Sequence, residues 1–334
     1  MAFQKILSDI QSKKFLPIYF LEGEEPYFID KLTDAIEHGV LDEPERDFNQ
    51  TVLYGKDTSV DEIVSTAKRY PMIAQYQVII VKEAQHLSRE IENLDSYAEN
   101  PLATTILVIN YKGKNLDKRK KLYKAIQSKG IVYNSDPLRD YQLPDWIIKE
   151  AQNHKLYIDL KSATLLSEHL GTDLNRIANE MEKLRVILPD GANITEQIIQ
   201  DNIGISKEYN MFEFQDAIGA RDVYKSNLIA SHFGKAPKEN PFVVIVSNLY
   251  GFFTKALKVH FSKVKTNEKA LAAELGVHPF LTKKYKIAAH NYPPNKIARI
   301  IAYLREYDLK AKGVNNASAE DGELLKELLF KILH

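Results

Sequence analysis

The chain has 334 residues, of which 44% are hydrophobic and 27% charged, with a formal net charge of zero and no cysteine. That length exceeds one ordinary core and implies two or three domains, while the lack of cysteine excludes disulfides, thiolate zinc sites and cysteine nucleophiles. No segment approaches the run of roughly 18 apolar residues that a membrane span needs, and the first seven residues lack a signal peptide's apolar centre and cleavage site, so a soluble protein of the cytoplasm is expected.

The first 140 residues alternate two patterns. Short β-branched or aromatic runs at 18–21, 51–54, 78–81, 105–109 and 131–133 predict strands. Helical periodicity fills 27–37, 60–69, 89–97 and 119–128. Near-continuously apolar strands separated by helices predict a parallel sheet covered on both faces.

Between the first strand and the first of these helices lies Glu22-Gly23-Glu24-Glu25, followed by Pro26. Strand, glycine turn and helix is where a P-loop carries G-x-x-x-x-G-K-[ST]. Here there is one glycine, no lysine for the phosphates and no hydroxyl for magnesium. Three carboxylates disfavour a docked anion. The same acids also suit a helix N-terminus, with Pro26 as its first residue. Either way, a phosphate site is not expected. At the end of the third strand, Lys82-Glu83 stands where an NTPase would hold an acidic pair, and a lysine cannot ligate magnesium.

Past Asp136-Pro137 the strands are predicted to stop. Helices are expected from Pro144, over 161–170 and 173–188, and from Thr195 after the turn Pro189-Asp190-Gly191. Residues 204–210 read as a linker. Beyond it the pattern is helical at 212–219, 223–233, 241–261, 269–275, 279–289, 294–312 and 323–333, punctuated by Gly276, Pro279 and Pro293-Pro294.

Charge is unevenly spread. Residues 1–210 carry 26 basic and 33 acidic side chains, residues 211–334 carry 19 and 12. Eight basic residues lie between Lys112 and Lys129 with only Asp117 against them. Within that stretch Lys114, Lys118, Arg119, Lys120 and Lys121 are candidate contacts to DNA phosphates; a solvated face is the competing reading. Only Tyr111 and Tyr123 are interleaved there, so reading of base sequence is not expected. No H-E-x-x-H, G-x-S-x-G or G-x-G-x-x-G motif occurs, and the nine histidines show no metal-ligand spacing. No catalytic residue, metal or cofactor is expected.

Several segments together resemble the delta family of the bacterial DNA polymerase III clamp loader. They are Ile18-Tyr19-Phe20-Leu21-Glu22-Gly23-Glu24-Glu25-Pro26-Tyr27, Pro71-Met72-Ile73 before Gln77-Val78-Ile79-Ile80-Val81, and Asp117-Lys118-Arg119-Lys120-Lys121-Leu122. Trp146-Ile147, Glu180-Met181-Glu182-Lys183-Leu184, Asn210-Met211-Phe212-Glu213-Phe214, Leu275-Gly276-Val277-His278-Pro279-Phe280 and Asp308-Leu309-Lys310-Ala311-Lys312-Gly313 continue the likeness nearly end to end. The resemblance implies α/β plus all-α architecture: a degenerate AAA+ (RecA-like) module at 1–139, a helical lid at 140–206 and a helical collar at 207–334.

It also implies a non-catalytic subunit that binds the beta sliding clamp, helps open it, and assembles with the gamma/tau motor subunits and delta-prime around primed DNA. Those siblings usually carry a cysteine zinc module or a Ser-Arg-Cys motif, and this chain has neither. The family's clamp contact is an apolar pair after the third N-terminal helix, which falls here on Met72 and Ile73, preceded by Tyr70 and Pro71. A Leu-Phe pair is common there in relatives. The residues alone leave open that Met72 and Ile73 pack beneath the sheet. Two other functions also stay open: a freestanding DNA-binding protein using its basic C-terminal helices, and an ATPase with an atypical phosphate loop.

Overall fold

A computed structural model describes residues 2–203, 209–315 and 319–334, apart from the side chains of Ala2 and Glu168. The chain divides into two compact units, 1–138 and 139–334. The expected boundary near 206–207 lies among residues outside those described.

Unit 1 contains α1 (Ala2–Gln11), β1 (Ile18–Gly23), α2 (Pro26–Gly39), α3 (Glu43–Asn49), β2 (Gln50–Tyr54), α4 (Val60–Ala67), β3 (Gln77–Lys82), α5 (Asp95–Glu99), β4 (Thr105–Lys112), α6 (Lys121–Lys129) and β5 (Ile131–Ser135). The strands form one parallel sheet in the order β2-β3-β4-β1-β5. Read from its other edge, this is the 5-1-4-3-2 order of a RecA-like AAA+ module.

Strand alternation sends side chains into two cores. Tyr19, Leu21, Val78, Ile80, Ile106 and Val108 face α1 and α2. Ile18, Phe20, Ile79, Val81, Leu107 and Ile109 face α4, α5 and α6. With both faces covered, the strands read as continuous apolar runs.

Three details differ from expectation. The segment 89–97 is a 3₁₀ turn at Ile91–Leu94 followed by the short α5. Helices α1 and α3 were not expected as separate elements; α3 begins at the capping box of Asp42 and Glu45. Two short strands also follow residue 137.

Unit 2 comprises α7 (Leu143–Asn153), β6 (Tyr157–Ile158), α8 (Leu160–Leu170), α9 (Leu174–Ile187), β7 (Asn193–Ile194), α10 (Glu196–Ile203), α11 (Met211–Gly219), α12 (Val223–Lys235), α13 (Phe242–Phe261), α14 (Glu268–Leu275), α15 (Thr282–Asn291), α16 (Pro294–Ala311) and α17 (Asp321–Leu333). The parallel β6–β7 pair corrects the expectation of no further strand. Its two-residue strands are too short to leave an alternating signal. The main core of this unit draws on residues 214–333.

Helix α13 corrects the reading of apolar length. It has 20 residues, and its most apolar window has mean hydropathy 1.4, enough on length and composition to cross a membrane. Its charged residues, Lys255 and Lys258, sit only towards its C-terminal end. The inward stripe of Ile245, Leu249, Phe252, Phe253 and Ala256 is buried in the unit's own core, as a central helix of a bundle requires.

Candidate functional site

The loop that enters β3 carries the most exposed apolar residues of unit 1. Helix α4 is started by Ser59, whose Oγ accepts from the Glu62 N–H. It ends at Ala67, four residues before Pro71. The stop is tertiary: Gln77 Nε2 donates towards the carbonyls of Thr66 and Ala67, and Thr105 Oγ1 donates to Ala67 O at 2.9 Å. The helix thus stops two residues short of the expected end at residue 69. The loop also follows the fourth helix of the chain, not the third.

From there the backbone runs outward. Tyr70 is 74% exposed, Met72 61% and Ile73 103%, while Pro71 is half-buried. Met72 and Ile73 do not pack beneath the sheet; Ala74 and Tyr76, the next apolar residues, do so. Tyr76 meets Phe15 edge-on at 5.7 Å.

The backbone at Ile73 is left-handed, with φ +62°. For a β-branched residue this is a genuine outlier, worth on the order of 1–3 kcal/mol of strain. Neighbouring Met72 is gripped by Asn49, a buried residue at the end of α3. Asn49 Oδ1 accepts from the Met72 N–H at 2.6 Å, and Nδ2 donates to Met72 O and to Glu45 O, each at 2.9 Å. Nothing in the sequence pattern marks Asn49, because its partner lies 23 residues away.

The glycine loop occupies the opposite end of the parallel sheet, some 15–20 Å away along the strands. There the donors that a phosphate would use are already taken. Gly23 N donates to Lys114 O at 3.2 Å, Glu25 N to Ser135 O at 3.0 Å, and Tyr27 N to the Glu25 carboxylate at 3.0 Å. Ser135 Oγ in turn donates to Glu25 O at 2.6 Å. Gly23 has φ +120°, and a Cβ there would lie 2.3 Å from the Ser135 carbonyl oxygen. Glycine is therefore required by the close approach of β5.

Glu22 is buried and accepts from the Leu116 N–H at 2.7 Å. Burial pushes its carboxyl above the usual range, opposed by that hydrogen bond and by the charge of Lys118. Glu24 is exposed at the loop tip.

The strand-end acids are also engaged. Lys82 pairs with Glu37 at 3.4 Å. Lys112 reaches Asp30 at 2.7 Å and Glu83 at 3.9 Å. No group of acids and histidines suited to a metal occurs among the described residues.

In the basic stretch, Lys114 Nζ donates to Ser88 Oγ at 2.8 Å. Arg119 makes a two-pronged pair with Asp117, at 3.0 and 2.8 Å. These bonds hold the Asp117 carboxyl well below the usual carboxylate range. Lys118, Lys120 and Lys121 are exposed around the start of α6.

The sheet order and the stitched glycine loop define a RecA-like AAA+ module without a phosphate cradle. The family model described as DNA polymerase III, delta subunit, matches residues 19–135. DNA polymerase III subunit delta of Bacillus subtilis (strain 168) is 26% identical over 324 residues, covering 94% of this chain and 92% of that protein. The solved Bacillus subtilis DNA clamp loader delta protein shares the fold with a TM-score of 0.60 at 23% identity, covering 99% of each chain. The chain is thus similar to DNA polymerase III delta subunits, through the family model over residues 19–135 and through the Bacillus subtilis protein over nearly its whole length.

Proposed function

We propose that the chain is the non-catalytic delta subunit of a clamp loader: it binds the beta sliding clamp through Met72 and Ile73, flanked by Tyr70 and Pro71, and helps open the ring for loading onto primed DNA. One observation supports this above the rest. Two adjacent apolar side chains stand in solvent on a loop whose backbone is fixed by a buried amide. A folded chain keeps such side chains exposed at a cost in solubility, and a hydrophobic pocket on a partner is the natural destination.

Burial of each side chain contributes about 1.5–3 kcal/mol before association costs. Met adapts to pockets of irregular shape, which suits it to a place where relatives often carry leucine.

The glycine loop supports the absence of catalysis. Its backbone donors serve the fold, and its carboxylates repel phosphate, so ATP belongs to the gamma/tau motor subunits. Unit 2 supplies surface for those subunits and for delta-prime: Val223, Tyr224 and Leu228 on α12 and Val243, Val244 and Tyr250 on α13 are exposed. Lys118, Lys120 and Lys121, exposed around the start of α6, are the proposed contacts to DNA phosphates within the assembled complex. The setting is the cytoplasm, and no cofactor is needed.

Size-exclusion chromatography of the purified chain with the sliding clamp of the same organism tests the reading. A complex is expected with the wild type, and none with the Met72→Ala/Ile73→Ala variant at unchanged circular dichroism. Undiminished complex formation by a folded double variant would overturn the assignment.

A further inference from the structure

We propose that Asn49 is a positioning residue for clamp binding: its side-chain amide presets the backbone from which Met72 and Ile73 project. This rests on the clamp-binding reading above.

The geometry is specific. A primary amide offers an acceptor and a donor side by side, matching the N–H and C=O of a single peptide-bonded residue. Asn49 uses both on Met72, at 2.6 and 2.9 Å, and anchors itself through Glu45 O at 2.9 Å. An aspartate would keep the acceptor and lose the donors. An alanine would lose both.

The grip falls where the loop has least other support. Downstream, Ala74 and Tyr76 are held by the core. Upstream, α4 is closed by Gln77 and Thr105. Between them Tyr70, Met72 and Ile73 are exposed, and Ile73 holds a left-handed backbone that its β-branched side chain disfavours. Without Asn49 this short stretch is free to relax towards extended conformations, and the two side chains lose their common direction. The clamp would then have to order the loop on binding, an entropic penalty that the preset loop avoids.

The test measures affinity of the full chain for the sliding clamp by isothermal titration calorimetry, with exchange of the Met72 amide followed in the free protein. Asn49→Ala is expected to weaken binding by ~10-fold through lost preorganisation and to speed exchange at Met72. Asn49→Asp retains the acceptor but turns its second oxygen towards the Met72 and Glu45 carbonyls, so it is expected to weaken binding at least as much as Asn49→Ala, and it gives a second, isosteric variant where the alanine variant folds poorly.

Ile126→Ala, which destabilises the core on the other face of the sheet, separates positioning from general instability; it is expected to leave affinity unchanged. Combining Asn49→Ala with Ile73→Ala should give a loss smaller than the sum of the two, since both act through one element. The proposal is overturned by wild-type affinity in a folded Asn49 variant, by an equal loss in Ile126→Ala, or by strict additivity. If Met72→Ala/Ile73→Ala binds the clamp normally, the functional reading falls and this proposal with it. If that double variant fails to bind while the Asn49 variants bind normally, only the positioning role is lost.

Discussion

Replacing Ile73 with glycine separates the two quantities that meet at this residue, the strain of its backbone and the use of its side chain. The side chain is fully exposed and φ is +62°, so the free protein loses no burial when the side chain is removed. Release of left-handed strain contributes about 1–3 kcal/mol of stability. Against it stands about 0.5–1 kcal/mol for the greater freedom of glycine in the unfolded chain. The net expectation is a gain of about 1 kcal/mol, a rise of about 2–5 °C in the melting temperature of unit 1.

Clamp affinity should move the other way. Losing the burial of one aliphatic side chain, about 1.5–3 kcal/mol, corresponds to about 10- to 150-fold weaker binding. Thermal unfolding and titration calorimetry on one preparation read both. A glycine variant that melts lower than wild type would refute the strain argument. One that binds the clamp with undiminished affinity would refute the use of the side chain.

Two further outcomes test the closed glycine loop. Gly23→Ala places a Cβ 2.3 Å from the Ser135 backbone oxygen at φ +120°; a loss of about 3 kcal/mol or more is expected in urea titration, and a neutral effect would contradict the close approach of β1 and β5. For Glu22 the native carboxyl titrates above its ordinary value because it is buried. Its stabilising contribution is therefore greatest at acid pH, where the carboxyl is neutral, and declines as pH rises from the ordinary carboxylate range through the raised native value. Glu22→Gln should remove that decline and gain relative to wild type towards neutral pH; an identical pH–stability profile in the two proteins would contradict it.

How much of this was legible in the sequence depends on where each signal is stored. The five strands of unit 1 were readable because a sheet covered on both faces needs unbroken apolar runs, as in Val78-Ile79-Ile80-Val81. The failed phosphate loop was equally readable, since its missing lysine and hydroxyl are local. Helix α3 was not: Glu43-Pro44-Glu45-Arg46-Asp47-Phe48-Asn49 has no apolar period, and a capping box starts it.

The end of α4 was misread because Gln77 and Thr105 set it from the sheet. The exposure of Met72 and Ile73 was open on pattern alone, since an apolar pair before a strand commonly packs beneath the sheet. Ala74 and Tyr76 take that role instead. Asn49 left no local trace, because a polar grip across 23 residues is written only in the folded chain.

The chain has four methionines, and among those whose burial is described Met181 is fully buried, Met211 half-buried and Met72 exposed. Carbon-13 labelling of the methionine methyl groups therefore places a reporter on the proposed contact and another in the core. Titrating the sliding clamp into this sample should shift or broaden the Met72 methyl resonance saturably while the Met181 resonance keeps its position apart from uniform broadening. A complex that forms while Met72 stays unperturbed would contradict the claim that this side chain enters the ring's pocket.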